Sequence, residues 1–276
     1  MYGWGTQFTG RMEKPMIALI FIVCLLASAV GGICGIGGGV IIKPVLDAMG
    51  VMSVSAISFL SGLTVLSMSV ISVLRQRGQR QVELRTGSLL ALGAVVGGII
   101  GNGLFQMVKT AAGQDAFVGM VQAAVLALVT LLTLLYSMYL RRRVPSFHVQ
   151  NAAGCVVIGA GMGVLSAFLG IGGGPINLAV LYFAFSMDTK KAAANSLFMI
   201  MCSQAASFLT SVVQGTVPVF PWVYLLAMVP AGVLGGLLGS RINRSLSVRQ
   251  TDRLFSALLC VIVLICLYNV RRFAAA

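Results

Sequence analysis

Two identical glycine-rich motifs carry the most distinctive chemistry of this sequence. GIGGG occupies residues 35–39 and returns at residues 170–174, and each copy leads into a short apolar run, at residues 40–49 and 175–187. The first N–H groups of a helix have no intrahelical partner and carry the positive end of the helix dipole, and glycine leaves such amides uncovered. Each motif therefore predicts a loop that binds an anion. The glycines assigned to this site are Gly35, Gly37, Gly38, Gly39, Gly170, Gly172, Gly173 and Gly174.

Polar residues beside the motifs extend the predicted site. Lys43 lies one turn into the first short run, where it either neutralises an anion or reaches for the membrane interface. Asn177, Asn195 and Ser196 follow the second motif, and their side chains suit hydrogen bonds to an oxyanion, although Ser and Asn also bridge helices. Ser61 joins the site because it is the repeat counterpart of Ser196.

The elements that must hold these residues are membrane helices. Of the 276 residues, 58% are hydrophobic and 9% are charged, and the mean hydropathy of +0.99 is far above that of soluble proteins. A hydrocarbon core of about 30 Å needs about 20 helical residues. Apolar runs of about that length occur at residues 16–33, 52–74, 86–107, 117–140, 152–169, 192–213, 221–240 and 254–270.

The fold class that follows is an all-α polytopic membrane protein. Its eight full transmembrane helices are joined by two short helices after the glycine motifs, which are either re-entrant or paired with their predecessors as further crossings. Irregular backbone persists at membrane depth only where it is buried in protein or lines a wet cavity. The glycine motifs therefore predict an interior site near the midplane of the membrane.

The chain contains the same unit twice. At the offset of 135 residues between the two motifs, six further positions agree without a gap, among them Ser61 with Ser196. GGIIG at residues 97–101 also returns as GGLLG at 235–239, and its G-x-x-x-G spacing predicts close helix packing. Each half has five apolar segments, and an odd number inverts the second half relative to the first. The predicted units are an N-terminal segment (1–15), a first repeat (16–140), a cytoplasmic basic linker (141–151) and a second repeat (152–276).

The positive charges support this inversion and predict that both termini lie outside. With the N-terminus outside, thirteen Lys and Arg residues fall on the cytoplasmic side and five on the outer side, as the positive-inside rule requires. The cytoplasmic set is Arg75, Arg77, Arg80, Arg85, Arg141, Arg142, Arg143, Lys190, Lys191, Arg241, Arg244, Arg249 and Arg253. The outer set is Arg11, Lys14, Lys109, Arg271 and Arg272.

Other classes of function fit this composition poorly. The net charge of +13 lies in short clusters between apolar runs, which is typical of a topology signal and not of nucleic-acid binding. A membrane enzyme needs a nucleophile with a base, a metal-ligand set or paired carboxylates. The chain has one histidine, His148, and one acidic residue within an apolar segment, Asp47. We therefore expect no enzymatic activity, metal or cofactor, and little basis for proton coupling through carboxylates.

The doubled motif resembles the TauE/SafE family of permeases, also called the sulfite exporter family. The resemblance spans nearly the whole chain. GIGGGVIIKPVL from residue 35 matches the glycine loop, apolar stretch and proline of the family, and GIGGGPINLAVL from residue 170 has Ala179 in place of that proline. AAANSLFMI from residue 192 is similar to the family's next segment. Lys43 departs from the pattern, because an apolar residue is expected there.

The resemblance implies a multi-pass transporter of the cell inner membrane that moves small anions such as sulfite or organosulfonates, usually outward. The residues themselves imply only an anion. Export needs no coupling ion, because a negative interior favours the outward movement of one negative charge by about 2.3 kcal/mol per 100 mV. The alternatives are an importer of sulfate, thiosulfate or a carboxylate and, from another class, a membrane-embedded enzyme.

Overall fold

The computed structural model describes residues 10–76, 84–140, 147 and 149–275. The helices in this part of the chain are α1 (Gly10–Cys34), α2 (Gly39–Met49), α3 (Val54–Gln76), α4 (Leu84–Ala112), α5 (Asp115–Leu135), α6 (Ala152–Leu169), α7 (Gly174–Phe185), α8 (Thr189–Val213), α9 (Trp222–Ser245) and α10 (Val248–Ala274). A π-helical turn, Tyr136–Leu140, follows α5. Five arginines with a predicted cytoplasmic side lie outside the described ranges, namely Arg77, Arg80, Arg141, Arg142 and Arg143, and so does His148.

The division into long and short helices is as predicted. Within the described ranges, eight helices are long and apolar enough to cross a membrane. The short helices α2 and α7 have 11 and 12 residues, so they extend only about 17 and 18 Å at 1.5 Å per residue. Neither crosses about 30 Å of hydrocarbon by itself. The predicted architecture of eight long and two short helices is confirmed.

Several long helices extend beyond the apolar runs that predict them. α4 begins at Leu84 and ends at Ala112, and α10 begins at Val248, well before its apolar run. The reason is clear at α10, where the hydroxyl of Ser247 accepts a hydrogen bond from the N–H of Gln250 and the Gln250 side chain accepts one from the N–H of Ser247. Groups that cap helices are polar, so the apolar run ends before the helix does.

Glycines bring the long helices into close contact. Gly97 and Gly101 of α4 face the backbone of α6, and a β-carbon on Gly97 would overlap the carbonyl oxygen of Ala160. In the same way, a β-carbon on Gly239 of α9 would overlap the carbonyl oxygen of Ala29 on α1. The G-x-x-x-G spacing therefore marks helix packing in both halves, as predicted.

The main contacts between the two halves come in matched pairs. By the repeat, α1 to α5 correspond to α6 to α10. α1 packs against α9 and α6 against α4, while α3 packs against α9 and α8 against α4. α2 and α7, α3 and α8, and α5 and α10 contact their own counterparts. The halves therefore meet through equivalent surfaces, and the glycine motifs precede two of the helices that contact their counterparts.

Two arginines identify the opposite ends of the helices. Arg272 near the end of α10 donates from Nη1 to the carbonyl oxygen of Ala48 at 2.6 Å, so α10 ends beside the end of α2. Arg244 near the end of α9 donates from Nη2 to the carbonyl oxygen of Arg75 at 2.6 Å, so α9 and α3 end together. Since α10 starts directly after α9, these are opposite ends. We call them the Arg272 end and the Arg244 end.

Candidate functional site

The two glycine loops contact each other. Loop 1 (residues 35–38) joins α1 to α2, loop 2 (residues 170–173) joins α6 to α7, and every residue of both loops is buried. A β-carbon on Gly39 would overlap the carbonyl oxygen of Ile171, and one on Gly37 would lie 3.6 Å from the carbonyl oxygen of Gly172. The structure therefore brings the predicted glycines of both halves, and the starts of α2 and α7, into one buried cluster.

Backbone conformation explains why glycine fills equivalent positions in the two loops. Gly35 and Gly170 have φ angles of 77° and 63°, and Gly37 and Gly172 have φ angles of 78° and 80°. Residues with a β-carbon rarely adopt this left-handed region, whereas glycine enters it readily. Each loop thus reverses the chain tightly between two helices, and its glycines add no side chains of their own.

Each loop also packs against a helix of the opposite half. A β-carbon on Gly35 would overlap Ala193 of α8, and one on Gly170 would lie 2.7 Å from the β-carbon of Ser58 on α3. Ala193 and Ser58 are related by the same offset as the loops. The halves are therefore interlocked at the candidate site, with α3 and α8 as its walls.

A pair of branched apolar side chains covers both loops. A β-carbon on Gly37 would lie 3.4 Å from Cγ1 of Val65 and 3.5 Å from Cδ1 of Ile200. One on Gly172 would overlap Cγ1 of Val65 and lie 3.3 Å from Cγ2 of Ile200. Both side chains are fully buried. Sequence reasoning missed this pair, although the repeat offset that relates its two positions was a usable signal.

Two serine hydroxyls lie on the same faces of the wall helices. Ser61 lies between Ser58 and Val65 at helical spacing, so it shares the face of α3 that contacts the loops. Ser196 has the equivalent place on α8. Both serines are fully buried, and neither hydroxyl has a hydrogen-bond partner among the described residues. Buried polar groups normally have a partner, and a bound oxyanion would supply one here.

The other polar residues divide between the loops and the helix backbone. The amide nitrogen of Asn177 on α7 lies against loop 2, and its Oδ1 has no hydrogen-bond partner within the described ranges. The hydroxyl of Ser28 on α1, a residue that the sequence did not single out, lies beside Gly38. Asn195 donates from Nδ2 to the carbonyl oxygen of Lys191 at 2.9 Å, so its amide group supports α8.

Lys43 is engaged away from the loops. Its Nζ donates to Oδ2 of Asp47 at 2.8 Å, one turn further along α2, and both side chains are almost fully buried. Two side chains of α10 complete this region: Asn269 donates to the carbonyl oxygen of Pro44 at 2.8 Å, and Arg272 donates to that of Asp47 at 2.5 Å. The charge of the lysine is therefore matched by its own helix, and the i, i+4 spacing was the signal for this pair.

The candidate site as a whole is polar but carries no unmatched charge among these residues. Its donors are the backbone amides of two helix starts and the side chains of Ser61, Ser196 and Asn177. Such donors stabilise an anion without a fixed counter-ion. A site of moderate affinity also releases its ion, as passage through a membrane requires.

One family model and three known proteins resemble this chain. The model of the family described as sulfite exporter TauE/SafE matches residues 20–265. The chain is 25% identical to the probable membrane transporter protein YunE of Bacillus subtilis, over 90% of this chain and 94% of that protein. It is 28% identical to the probable membrane transporter protein MamO of Paramagnetospirillum magneticum, over 44% of this chain and 19% of that protein.

A second MamO, from Magnetospirillum gryphiswaldense, is 30% identical over 39% of this chain and 18% of that protein. No solved structure matches the chain. The family match covers most of the chain and the eight candidate membrane spans agree with it. This multi-pass membrane protein therefore belongs to the sulfite exporter TauE/SafE family of membrane transporters.

Proposed function

We propose that this protein exports small anions, sulfite or organosulfonates, across the cell inner membrane through the paired glycine loops. The observation that carries the proposal is the contact of two helix starts through glycine backbone, beside buried serine hydroxyls without a partner in the described chain. Membership of the sulfite exporter family supports the choice of ion. A cation would instead call for carboxylate or carbonyl ligands directed at one point.

The two halves are inverted in this proposal, and the Arg272 end faces outward. The matched contacts between the halves support the inversion. Thr189 donates to Asp252 at 3.0 Å, which places the starts of α8 and α10 together at the Arg244 end. Both starts carry basic residues, namely Lys190, Lys191, Arg249 and Arg253. The Arg244 end is therefore the more basic one, which favours the cytoplasmic side for it.

The site that results is a neutral donor cluster between two apolar walls. An anion that reaches it loses water and gains hydrogen bonds from amides and hydroxyls. Val65 and Ile200 contact both loops and close the space around them. The loops and this apolar pair therefore form the barrier that the anion must pass, and outward passage is favoured by the membrane potential.

The test is flux of radiolabelled sulfite and methanesulfonate in proteoliposomes whose potential is set with potassium and valinomycin. We expect saturable flux that accumulates a monovalent anion on the positive side, by about 50-fold at 100 mV. Sulfate, thiosulfate and succinate are measured in parallel. Preferential flux of one of these three overturns the assigned substrate, and accumulation on the negative side overturns uncoupled export in favour of a coupled importer.

A further inference from the structure

A cavity with both polar and apolar lining residues lies beside loop 2. It opens between α3, α4, α6 and α8 toward the Arg272 end, and we call it the outer vestibule. Its volume of about 50 Å³ exceeds the roughly 10–15 Å³ that a single water needs. The lining residues that matter here are Ser55, Ser58, Asn102, Lys109, Gly170 and Gln204.

Two serines at the start of α3 line this cavity, and their hydroxyls have no partner among the described residues. These residues, Ser55 and Ser58, are 5% and 8% exposed. Both lie in the first turns of α3, which begins at Val54, so the positive end of that helix dipole acts at the same place. The transport site proposed above uses neither hydroxyl.

Two amide side chains are fixed in orientation around the same cavity. Gln204 donates from Nε2 to the hydroxyl of Ser166 at 3.2 Å, and Asn102 donates from Nδ2 to the hydroxyl of Ser211 at 3.3 Å. Because a side-chain NH₂ group has two hydrogens, each amide retains one further N–H. These donors are held by bonds to the protein and do not need to be ordered by a ligand.

The charge of the outer vestibule selects the sign of its ligand. Lys109, in the last turn of α4, is the one charged side chain among the described residues that line the cavity. A single cationic group in a small polar cavity attracts anions and repels cations. Hydroxyl and amide donors around it favour an ion with several oxygens, since each oxygen accepts its own hydrogen bonds.

We propose that the outer vestibule is a second oxyanion site, in which Ser55 and Ser58 donate to a small ion with three or more oxygens, such as sulfate or a sulfonate head group. Lys109 attracts the ion, and the site communicates with loop 2 at Gly170. Its role as an outer station on the transport path rests on the proposed function. Its binding of oxyanions does not.

The test uses a reporter cysteine that is not one of the proposed donors. Ser207 lines the outer vestibule, and its repeat counterpart Ser72 does not. Ser207→Cys is labelled in right-side-out vesicles with a membrane-impermeant maleimide, and the labelled peptide is measured by mass spectrometry. Sulfate and methanesulfonate are the probes, because sulfite itself reacts with maleimides. Chloride at equal ionic strength and Ser72→Cys are the controls.

We expect Ser207→Cys to be labelled from outside, and sulfate and methanesulfonate, but not chloride, to slow this labelling. Adding Ser55→Ala and Ser58→Ala raises the sulfate concentration for half-protection by about tenfold for each hydroxyl lost. Ser72→Cys is not labelled from outside. Protection by chloride, or protection that persists fully without both hydroxyls, overturns the oxyanion site. Labelling only from the cytoplasmic face overturns its role as an outer station.

The same labelling separates this inference from the transport proposal. Protection without any flux of sulfite or sulfonate in the unaltered protein would leave the oxyanion site standing and overturn the transport proposal. Flux without protection would leave the transport proposal standing and overturn the second oxyanion site.

Discussion

Replacing Gly39 by alanine tests whether the contact between the glycine loops is needed for transport. Gly39 is the first residue of α2, and its backbone is not in the left-handed region, so alanine is conformationally allowed there. The added β-carbon would overlap the carbonyl oxygen of Ile171 and lie 2.8 Å from its carbonyl carbon. Both neighbours are backbone atoms, which cannot rotate away. The loops must therefore move apart.

The size of the effect follows from this overlap. Ordinary contact with such atoms begins near 3.4 Å, so the loops must separate by at least about 0.6 Å. Forcing an extra carbon into a packed interior costs about 1–3 kcal/mol. That energy lowers the population of the closed loop geometry by about 5- to 150-fold. We expect the anion flux to fall by a factor in this range.

The assay is sulfite or methanesulfonate flux in proteoliposomes, normalised to folded protein by gel filtration and thermal unfolding in detergent. Gly161→Ala on α6 is the matched control, because a β-carbon there would meet nothing within 4 Å. It should leave the flux unchanged and raise helix stability by up to about 1 kcal/mol. Full flux through well-folded Gly39→Ala would refute a role for the loop contact, and equal losses in both variants would show an effect without specificity.

Three further predictions address the ion pair, the apolar cover and the helix packing. Lys43→Met leaves Asp47 without its partner and should lower the free energy of unfolding by about 3–5 kcal/mol, whereas adding Asp47→Leu restores it. Ile200→Ala removes part of the cover over both loops and should increase the leak of anions that does not saturate, at a cost of about 2–5 kcal/mol in stability. Gly97→Ala places a β-carbon against the backbone of α6 and should destabilise the protein by about 1–3 kcal/mol in thermal unfolding.

Each of these predictions has its own contradicting result. A double variant of Lys43 and Asp47 that folds well but loses sulfite flux would assign this ion pair a role in transport. Unchanged leak in Ile200→Ala would show that this side chain is not part of the barrier. Gly103→Ala, whose β-carbon would meet nothing within 4 Å, is the control for helix packing, and a loss of stability there would remove the contrast with Gly97.

The fold followed from the sequence as far as hydropathy determines it. Long apolar runs predict long helices, and the short runs after the glycines predict α2 and α7. Helix ends were less predictable, because the groups that fix them are polar. At the start of α8, the carboxylate of Asp188 accepts hydrogen bonds from the N–H groups of Lys190 and Lys191, outside the apolar run that marks the helix.

The positions of the candidate site residues could be predicted where the repeat marks them, and their role stays a prediction. The glycines, Ser61 and Ser196 were found because they recur at one offset, and the structure brings them to the loops and the wall helices. Val65 and Ile200 occupy equivalent positions but are not identical. Because valine and isoleucine are common throughout this apolar chain, the match does not stand out in the sequence. The partner of Lys43 lay one turn away on the same helix, and a lysine with that partner needs no substrate to balance it.

The two copies of GIGGG have the same residues but different backbones. Gly38 has a φ angle of −68°, whereas its counterpart Gly173 has one of 113°. Position 38 requires glycine because a β-carbon there would lie 2.9 Å from Cα of Ser28. Position 173 requires glycine because its φ angle is positive. Since one sequence adopts both conformations in the same chain, the surroundings and not the motif select between them.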